Sequence, residues 1–494
     1  MKFLKTPIML LVVALLTISC FEDNDDNTIS ANQINDFVWK GMNIFYLYKD
    51  NVPDLANDRF SSDSEYADYL NGFSSPETLF ESVIYNRETV DKYSWIVDDY
   101  IALEQYFSGV STSNGMEFSL FLHPNNNSKV FGVVRLVLNN SDADNKGLKR
   151  GDIFDAINNT PLTTSNYNSL LSEDSYTLNL AMYDTNNTPE STDDNIVSTS
   201  EAVSLTKLEY AENPIFKTNI FDVGGEKVGY LMYNGFTADY DSQLNNVFAD
   251  FKANNIQHLV LDLRYNPGGS VNSAILLSSM ITGQFTGDIF STEQWNSEFQ
   301  QAIENEDPEL LINRFTNNDE GAALNSLNLS KVYIIATEDS ASASELVINS
   351  LDPYINVVHI GENTTGKYQA STTLYDSEDY GREGANPNHT YAMQPLIFKS
   401  LNKVGYTDYI DGLTPDIELH ENYLDLGIIG NENETLLAAA LNDILNATGK
   451  TFANSKTNNS LQLFEIDQQS SPFENDMYIE KELPENILNQ LIFD

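Results

Sequence analysis

The sequence predicts a multidomain α/β protein: an N-terminal helical region, a small β domain and an α/β core. Three observations predict it. Apolar residues recur at helical spacing early in the chain, short β runs follow from about Gly109 to Tyr210, and strands alternate with helices from about Ile215 onward. Strand–helix alternation calls for a layered sheet with crossover connections.

The 494-residue chain opens like an export signal. Lys2 and Lys5 make a short basic start, and Ile8 to Leu16 is an apolar run. A run this short suits a signal-peptide core, because a bilayer span needs about 20 apolar residues. Thr17-Ile18-Ser19 then precede Cys20, the one cysteine of the chain, which therefore has no partner for an internal disulfide. The segment resembles a bacterial lipoprotein signal, with Thr17 where leucine is commoner. The resemblance implies that residues 1–19 are a lipoprotein signal peptide and that Cys20 is lipidated. Residues 20–30, with Glu22, Asp23, Asp25 and Asp26, read as an acidic tether. An acidic stretch after the cysteine is also similar to surface-export signals of Bacteroidetes lipoproteins. The expectation is an exported protein of the bacterial cell envelope, periplasmic or anchored to the outer membrane or surface, touching the membrane only through its lipid.

Charge narrows the partners. The chain has 73 acidic against 26 basic side chains, a formal net charge of −47. Nothing in that balance neutralises phosphates, so nucleic acid is excluded as a partner.

Residues 31–107 read as a helical N-terminal domain. Ile34, Phe37, Val38, Met42 and Phe45 lie on one helical face. Ser75-Pro76 suits an N-cap followed by proline at the first helical position, with Leu79, Phe80, Val83 and Ile84 as the buried face. Trp39 and Trp95 read as core residues.

Residues 108–212 read as the β domain, with strands at Phe118–Leu122 and Val130–Leu138 and an exposed loop over Asn186–Ser200. Gly147-Leu148-Lys149-Arg150-Gly151-Asp152-Ile153-Phe154-Asp155-Ala156-Ile157-Asn158 supplies a Gly-Asp turn followed by buried apolar positions. The stretch resembles the signature of bacterial PDZ domains, which bind peptide ends by adding a strand to a sheet edge.

Residues 213–448 make the α/β core. Strands are expected at Val228–Tyr233, His258–Leu263, Val332–Ala336 and Val357–Ile360. Helices are expected around Leu244–Phe251, Ala274–Ile281, Glu345–Leu351 and Leu436–Leu445. Gly283–Asn328 reads as an irregular polar insert. Residues 449–494 are a C-terminal extension whose Leu461, Leu463, Phe464, Tyr478 and Leu488 suit docking on the body. No cofactor or metal is expected. Asp142-Ala143-Asp144 begins like a calcium loop but fails at Lys146, and the five histidines lack metal-ligand spacing.

Two segments carry chemistry. Ser340-Ala341-Ser342-Ala343-Ser344-Glu345 follows a strand-like run, and Gly366-Lys367 comes soon after. A serine hydroxyl attacks well only when a base takes its proton, and lysine serves as that base only when burial lowers its pKa. Ser-Lys pairs are a known variant of the serine-nucleophile arrangement. Considered singly, Ser342 is a helix N-cap and Lys367 a surface side chain.

These segments, with Leu261-Asp262-Leu263-Arg264-Tyr265-Asn266-Pro267-Gly268-Gly269 before them and Asp411-Gly412-Leu413-Thr414-Pro415-Asp416 after, resemble in order and kind the S41 peptidases, the C-terminal processing or tail-specific protease family. The resemblance implies a ClpP/crotonase-like α/β core behind a PDZ-like domain, and a serine-type peptidase acting on protein or peptide substrates, whose C-termini engage the PDZ-like domain. It implies Ser342 as nucleophile and Lys367 as general base. Ala343 and Gly268 or Gly269 are the expected oxyanion-hole donors. Asp262, Arg264, Asp411 and Asp416 read as structural.

One departure stands out. Many processing members carry an orienting glutamine four residues after the lysine, where this protein has Ser371. Gln369 is two residues on, and in a strand both positions share a face, so Gln369 or Ser371 is the candidate orienting residue. The departure leaves a second expectation open, a catalytically inactive S41-like peptide-binding lipoprotein. A histidine-based hydrolase is disfavoured by the lack of a Gly-x-Ser-x-Gly elbow.

Overall fold

A computed structural model describes residues 31–188, 193–447, 461–464, 477–479 and 485–493. The signal peptide, Cys20 and the tether lie outside the described residues. Among the described residues no helix is long and apolar enough to cross a membrane.

The helices Ala31–Phe45, Asp63–Asn71, Pro76–Ser82 and Tyr100–Phe107 make up the N-terminal region. Ser75 caps Pro76–Ser82 through its side chain, with Pro76 in the first turn. Leu79, Phe80 and Val83 are wholly buried, whereas Ile84 is only partly so. The short strand Trp95–Val97 departs from the helical reading. It pairs antiparallel with Ala392–Gln394 and so fastens this region to the core.

The β region is one antiparallel sheet in the order Met116–His123, Asn126–Val137, Ile153–Ile157, Ser175–Asp184, Asn195–Thr206. The helix Tyr167–Leu171 packs Tyr167, Leu170 and Leu171 against the buried Leu120, Phe154 and Leu178. The loop expected over Asn186–Ser200 is shorter than that, because Asn195–Ser200 continues the last strand. Val197 and Ser198 pair with Met182 and Ala181 as strand residues do, and Thr199 lies at a break in that pairing with its Oγ1 donating to Leu180 O.

Six strands form the core sheet, ordered Ile215–Val223, Glu226–Tyr233, His258–Asp262, Lys331–Ala336, Asn356–Gly361, Ile417–Glu418. All neighbours after the first pair run parallel, so helices must cover both faces. Asp241–Ala253, Val271–Thr282 and Ala343–Leu351 cover one side, and Thr435–Ala447 covers the other with Leu436, Leu437, Ala440 and Ile444.

A second six-stranded sheet lies beside it, ordered Gly269–Ser270, Met477–Tyr478, Gln369–Ser371, Leu396–Asn402, Ile289–Trp295, Ile312–Arg314. Here the insert expectation is corrected. Gly283–Asn328 contains the strand Ile289–Trp295 and the helix Ser297–Glu306, which bury Phe290, Trp295, Phe299 and Ile303 in the main core. The helix expected at Leu436–Leu445 forms as Thr435–Ala447 and is not the last. Glu485–Phe493 follows, with Ile487 and Leu488 buried in the same core.

Candidate active site

The strand Lys331–Ala336 ends at the edge where the crossover turns back into the helix Ala343–Leu351. Three serines sit in that turn, and their hydroxyls have different fates. Ser340 Oγ donates to Leu263 O at 2.7 Å and accepts from Thr337 N. Ser344 Oγ donates to Asn266 O at 3.0 Å. Both tie the turn to the neighbouring Leu263–Gly269 segment. Ser342 Oγ is buried and makes no hydrogen bond among the described residues.

Ser342 also holds an unusual backbone, φ 64° and ψ −113°. A non-glycine residue at positive φ is strained by of order 1–3 kcal/mol and persists only where its surroundings over-determine it. The surroundings are visible here. Ser342 N–H donates to Glu345 Oε2 at 2.7 Å, and Leu346 N–H donates to Ser342 O at 2.8 Å. The strain places the hydroxyl at the N-terminus of a nine-residue helix, where the dipole favours negative charge.

Lys367 approaches from the other side. Its N–H donates to the same Glu345 Oε2 at 2.8 Å, while Gly366 N–H and Thr364 Oγ1 donate to Oε1 at 2.7 and 2.5 Å. One carboxylate thus fastens the serine turn to the lysine turn. Gly366 adopts φ 94°, and a Cβ there would lie 2.3 Å from Ile410 O, so the turn requires glycine. Lys367 is 1 % exposed and Ser342 0 %. The lysine Nζ lies 5.2 Å from the ring centroid of Tyr93, a residue of the N-terminal region. Burial pushes the Glu345 carboxyl up to about 7, against the opposing pull of Thr364, Ser342, Gly366 and Lys367 donors. Burial raises the Tyr93 phenol as well, with the Glu345 charge adding to it.

The expected oxyanion-hole residues lie in this neighbourhood. Ala343 opens the helix directly after Ser342. Asn266 organises the glycine turn: its Nδ2 donates to Tyr233 O, its main-chain O accepts from Ala341 N, and its Oδ1 accepts from Gly268 N at 2.9 Å. That last bond commits the Gly268 N–H, leaving Gly269 as the glycine candidate. Gly269 has φ 129°, and a Cβ on it would meet Phe236 O at 2.3 Å.

Both candidate lysine-orienting residues have partners of their own, and Gln369 Oε1 is buried without a hydrogen bond among the described residues. Gln369 Nε2 donates to Tyr48 OH at 2.9 Å, and Ser371 Oγ donates to Met477 O at 3.1 Å. Tyr93 and Glu345 are the neighbours that sequence reasoning missed. Glu345 stood inside the serine motif, but nothing in its spacing announced that its carboxylate gathers four donors. The five histidines are engaged away from the serine: His123 with Asn125, His258 with Glu226, His359 with Ala336 O, His389 with Asp376 and His420 with Glu362.

Behind the glycine turn lies a buried charge cluster. Arg264, wholly buried, donates to Asp262, Glu421 and Glu434. Arg150 of the β region joins it through Glu421 and through Tyr265 OH at 2.8 Å. Asp262 and Arg264 are structural here, as the sequence suggested. Asp416 accepts from His359 N at 2.9 Å.

Residues 227–419 match Peptidase family S41, and residues 33–95 match the Peptidase S41 N-terminal domain, together about half of the chain. A carboxyl-terminal-processing protease of Picosynechococcus is 25% identical over 244 residues, 49% of this chain and 51% of that protein. A protein of Staphylococcus epidermidis described as a CtpA-like serine protease is 27% identical over 203 residues, 41% of this chain and 36% of that protein. The chain therefore spans about half or less of the length of these curated relatives. A solved structure described as an S41 protease of Bacteroides fragilis is 25% identical with a TM-score of 0.64, covering 83% of this chain and 97% of that one. With the serine turn, the lysine turn and the glycine turn converging inside the matched region, the chain belongs to the S41 peptidase family.

Proposed function

We propose that this protein is an exported serine endopeptidase that hydrolyses peptide bonds of protein substrates through Ser342 and Lys367. One observation carries the reading. Of three serines in one turn, two have their hydroxyls tied to backbone carbonyls, and the third is held at positive φ on a carboxylate that also holds Lys367.

In this reading Ser342 Oγ bonds to the scissile carbonyl carbon and its proton passes to neutral Lys367 Nζ. Ala343 and Gly269 N–H groups receive the oxyanion, a role in which losing one donor costs about 2.7–4 kcal/mol in characterised enzymes. The C–N bond then breaks, the lysine proton goes to the leaving amine, and water hydrolyses the acyl-enzyme. The β region with its Gly147–Asn158 segment acts as a PDZ-like module that engages the ends of substrate polypeptides. Relatives described as carboxyl-terminal-processing proteases support exposed C-termini as the substrate class. The basic–apolar start and Cys20 support a lipid-anchored place in the cell envelope.

A second reading, an inactive peptide-binding lipoprotein, draws on the Ser342 hydroxyl having no hydrogen-bond partner among the described residues and on Ser371 standing four residues after Lys367 where many relatives carry glutamine. Ser342→Ala and Lys367→Ala are expected to abolish cleavage of fluorescein-labelled casein while leaving the melting temperature within a few degrees. Wild type should take up a serine-directed phosphonate at Ser342. Undiminished cleavage by Ser342→Ala refutes the assignment, and a folded wild type that neither cleaves nor labels favours the second reading.

A further inference from the structure

Two short pieces of the C-terminal extension lie on strand edges, and both edges belong to the machinery just described. The first piece is Leu461–Phe464. Leu122 N–H donates to Gln462 O and Phe464 N–H donates to Leu120 O, each at 2.9 Å, with an antiparallel bridge between Phe121 and Leu463. Met116–His123 is the edge strand of the β region, so the tail extends that sheet by one strand. Phe464 sets its ring 5.4 Å from that of Tyr167, on the helix Tyr167–Leu171, and joins the cluster of Leu120, Phe154 and Leu178. A strand added at a sheet edge, with one apolar side chain entering between strand and helix, is how such domains hold peptides.

The second piece is Met477–Tyr478, with Ile479. It runs parallel between Gly269–Ser270 and Gln369–Ser371, in register Gly269 with Met477, Ser270 with Tyr478 and Ser371 with Tyr478. Ile479 N–H donates to Ser371 O at 3.2 Å. One flanking strand opens with the glycine proposed for the oxyanion, and the other begins two residues after Lys367. Tyr478 lies 4.3 Å from the Phe107 ring and, with Pro267, Gly268 and Gly269, lines a cavity beside the glycine turn. The tail thus fills the strand position between the two halves of the proposed chemistry, while Ser342 and Lys367 are sealed from solvent.

We infer that residues 461–464 and 477–479 occupy, in cis, the two strand edges that receive a substrate polypeptide, and that an extended polypeptide with spaced apolar and aromatic side chains must displace them. The inference rests on the peptidase reading for the identity of the second edge. The first piece is held by two main-chain bonds and the Phe464 ring, whereas the second adds to its main-chain bonds the burial of Met477 in the main core, so an incoming strand must supply an apolar side chain at that position. The helix Glu485–Phe493, through buried Ile487 and Leu488, keeps the tail attached, so its effective concentration at the edges stays high. The substrate's apparent affinity is then reduced by the fraction of molecules whose edges are open.

Phe464→Pro and Ile479→Pro each delete one of the N–H donors named above, since proline has none. In the full-length protein each variant is expected to lower KM for fluorescein-labelled casein at least about threefold with kcat unchanged. An unchanged KM, or kcat and melting temperature falling together, overturns the inference and marks the tail as structural glue. A readout independent of cleavage uses the full-length Ser342→Ala protein. Saturating unlabelled casein is expected to speed amide exchange at Phe464 and Ile479 at least about tenfold. Casein that does not bind, or binds with both amides still protected, overturns the inference even if the proline variants do not fold. Active Ser342→Ala enzyme would instead overturn the peptidase reading, so the two failures are distinct.

Discussion

Ser342 and Lys367 donate their main-chain N–H groups to one oxygen of Glu345, at 2.7 and 2.8 Å. The proposed nucleophile and the proposed base are therefore positioned, through their backbones, by a single buried carboxyl. Because the serine sits at positive φ, that bond also holds the strain in place.

Glu345→Gln replaces one acceptor oxygen by an NH2 group among main-chain N–H donors. Each stranded buried donor costs about 1–3 kcal/mol. The variant is expected to lose activity by at least tenfold and to melt lower. The pH dependence has a definite sign. Burial raises the folded-state carboxyl to about 7 from its ordinary 4.5, so the native state holds the proton more tightly than the unfolded chain. Its contribution is complete below about pH 4.5 and is lost as pH rises through 7. Melting temperatures across pH 4.5–7.5 should show that slope in wild type and lose it in Glu345→Gln; identical slopes in both would exclude this role.

Tyr93 places its ring 5.2 Å from Lys367 Nζ. A desolvated cation–π contact is worth about 2 kcal/mol and favours the ammonium form. Tyr93→Leu is expected to lower kcat/KM about tenfold through lost positioning. Tyr93→Phe keeps the ring and should stay within about twofold of wild type. A Tyr93→Phe as impaired as Tyr93→Leu would assign the role to the phenol oxygen instead.

Much of this architecture was legible in the sequence, for reasons that particular residues make plain. Val332–Ala336 and His258–Leu263 are apolar runs because parallel strands are covered on both faces. The serine motif and the lysine turn are visible because their chemistry needs fixed residue types. The second sheet was not legible. Gly269–Ser270, Gln369–Ser371 and Met477–Tyr478 are two or three residues long and come from distant parts of the chain, so no periodicity marks them. Ile289–Trp295 was hidden differently: its Ser291, Thr292, Glu293 and Gln294 read as polar loop, yet Ser291 and Glu293 are buried and bonded to Asn313. Tyr93 carried no signal at all, because its role depends on how the helical region docks.

Gln369 carries a structural tie besides its candidate role. Its position makes it a candidate to orient Lys367, and its Nε2 reaches Tyr48 OH and so links the second sheet to the N-terminal region. Gln369→Ala is expected to lower stability by about 0.5–1.5 kcal/mol, the net worth of one hydrogen bond. A pH–rate profile of unchanged shape assigns Gln369 to stability alone. A shifted acidic limb would restore Gln369 as an orienting residue.

The charge cluster behind the glycine turn makes an acid-sensitivity prediction. Burial by itself raises the Glu421 carboxyl, but the Arg150 and Arg264 charges and the Tyr265 hydroxyl overcome it and hold it at about 2. A folded-state value below the ordinary 4.5 means the contribution is present above pH 4.5 and is lost as pH falls toward 2. The difference corresponds to on the order of 3 kcal/mol. Because Glu421 joins Arg150 of the β region to Arg264 and Tyr265 of the core, its protonation loosens the contact between them as well as lowering global stability. Glu421→Gln is expected to melt lower than wild type at pH 7 and to converge with it near pH 2, where both carry a neutral side chain. Melting curves that stay parallel from pH 7 down to pH 2 would show that the buried charge at position 421 does not stabilise the junction.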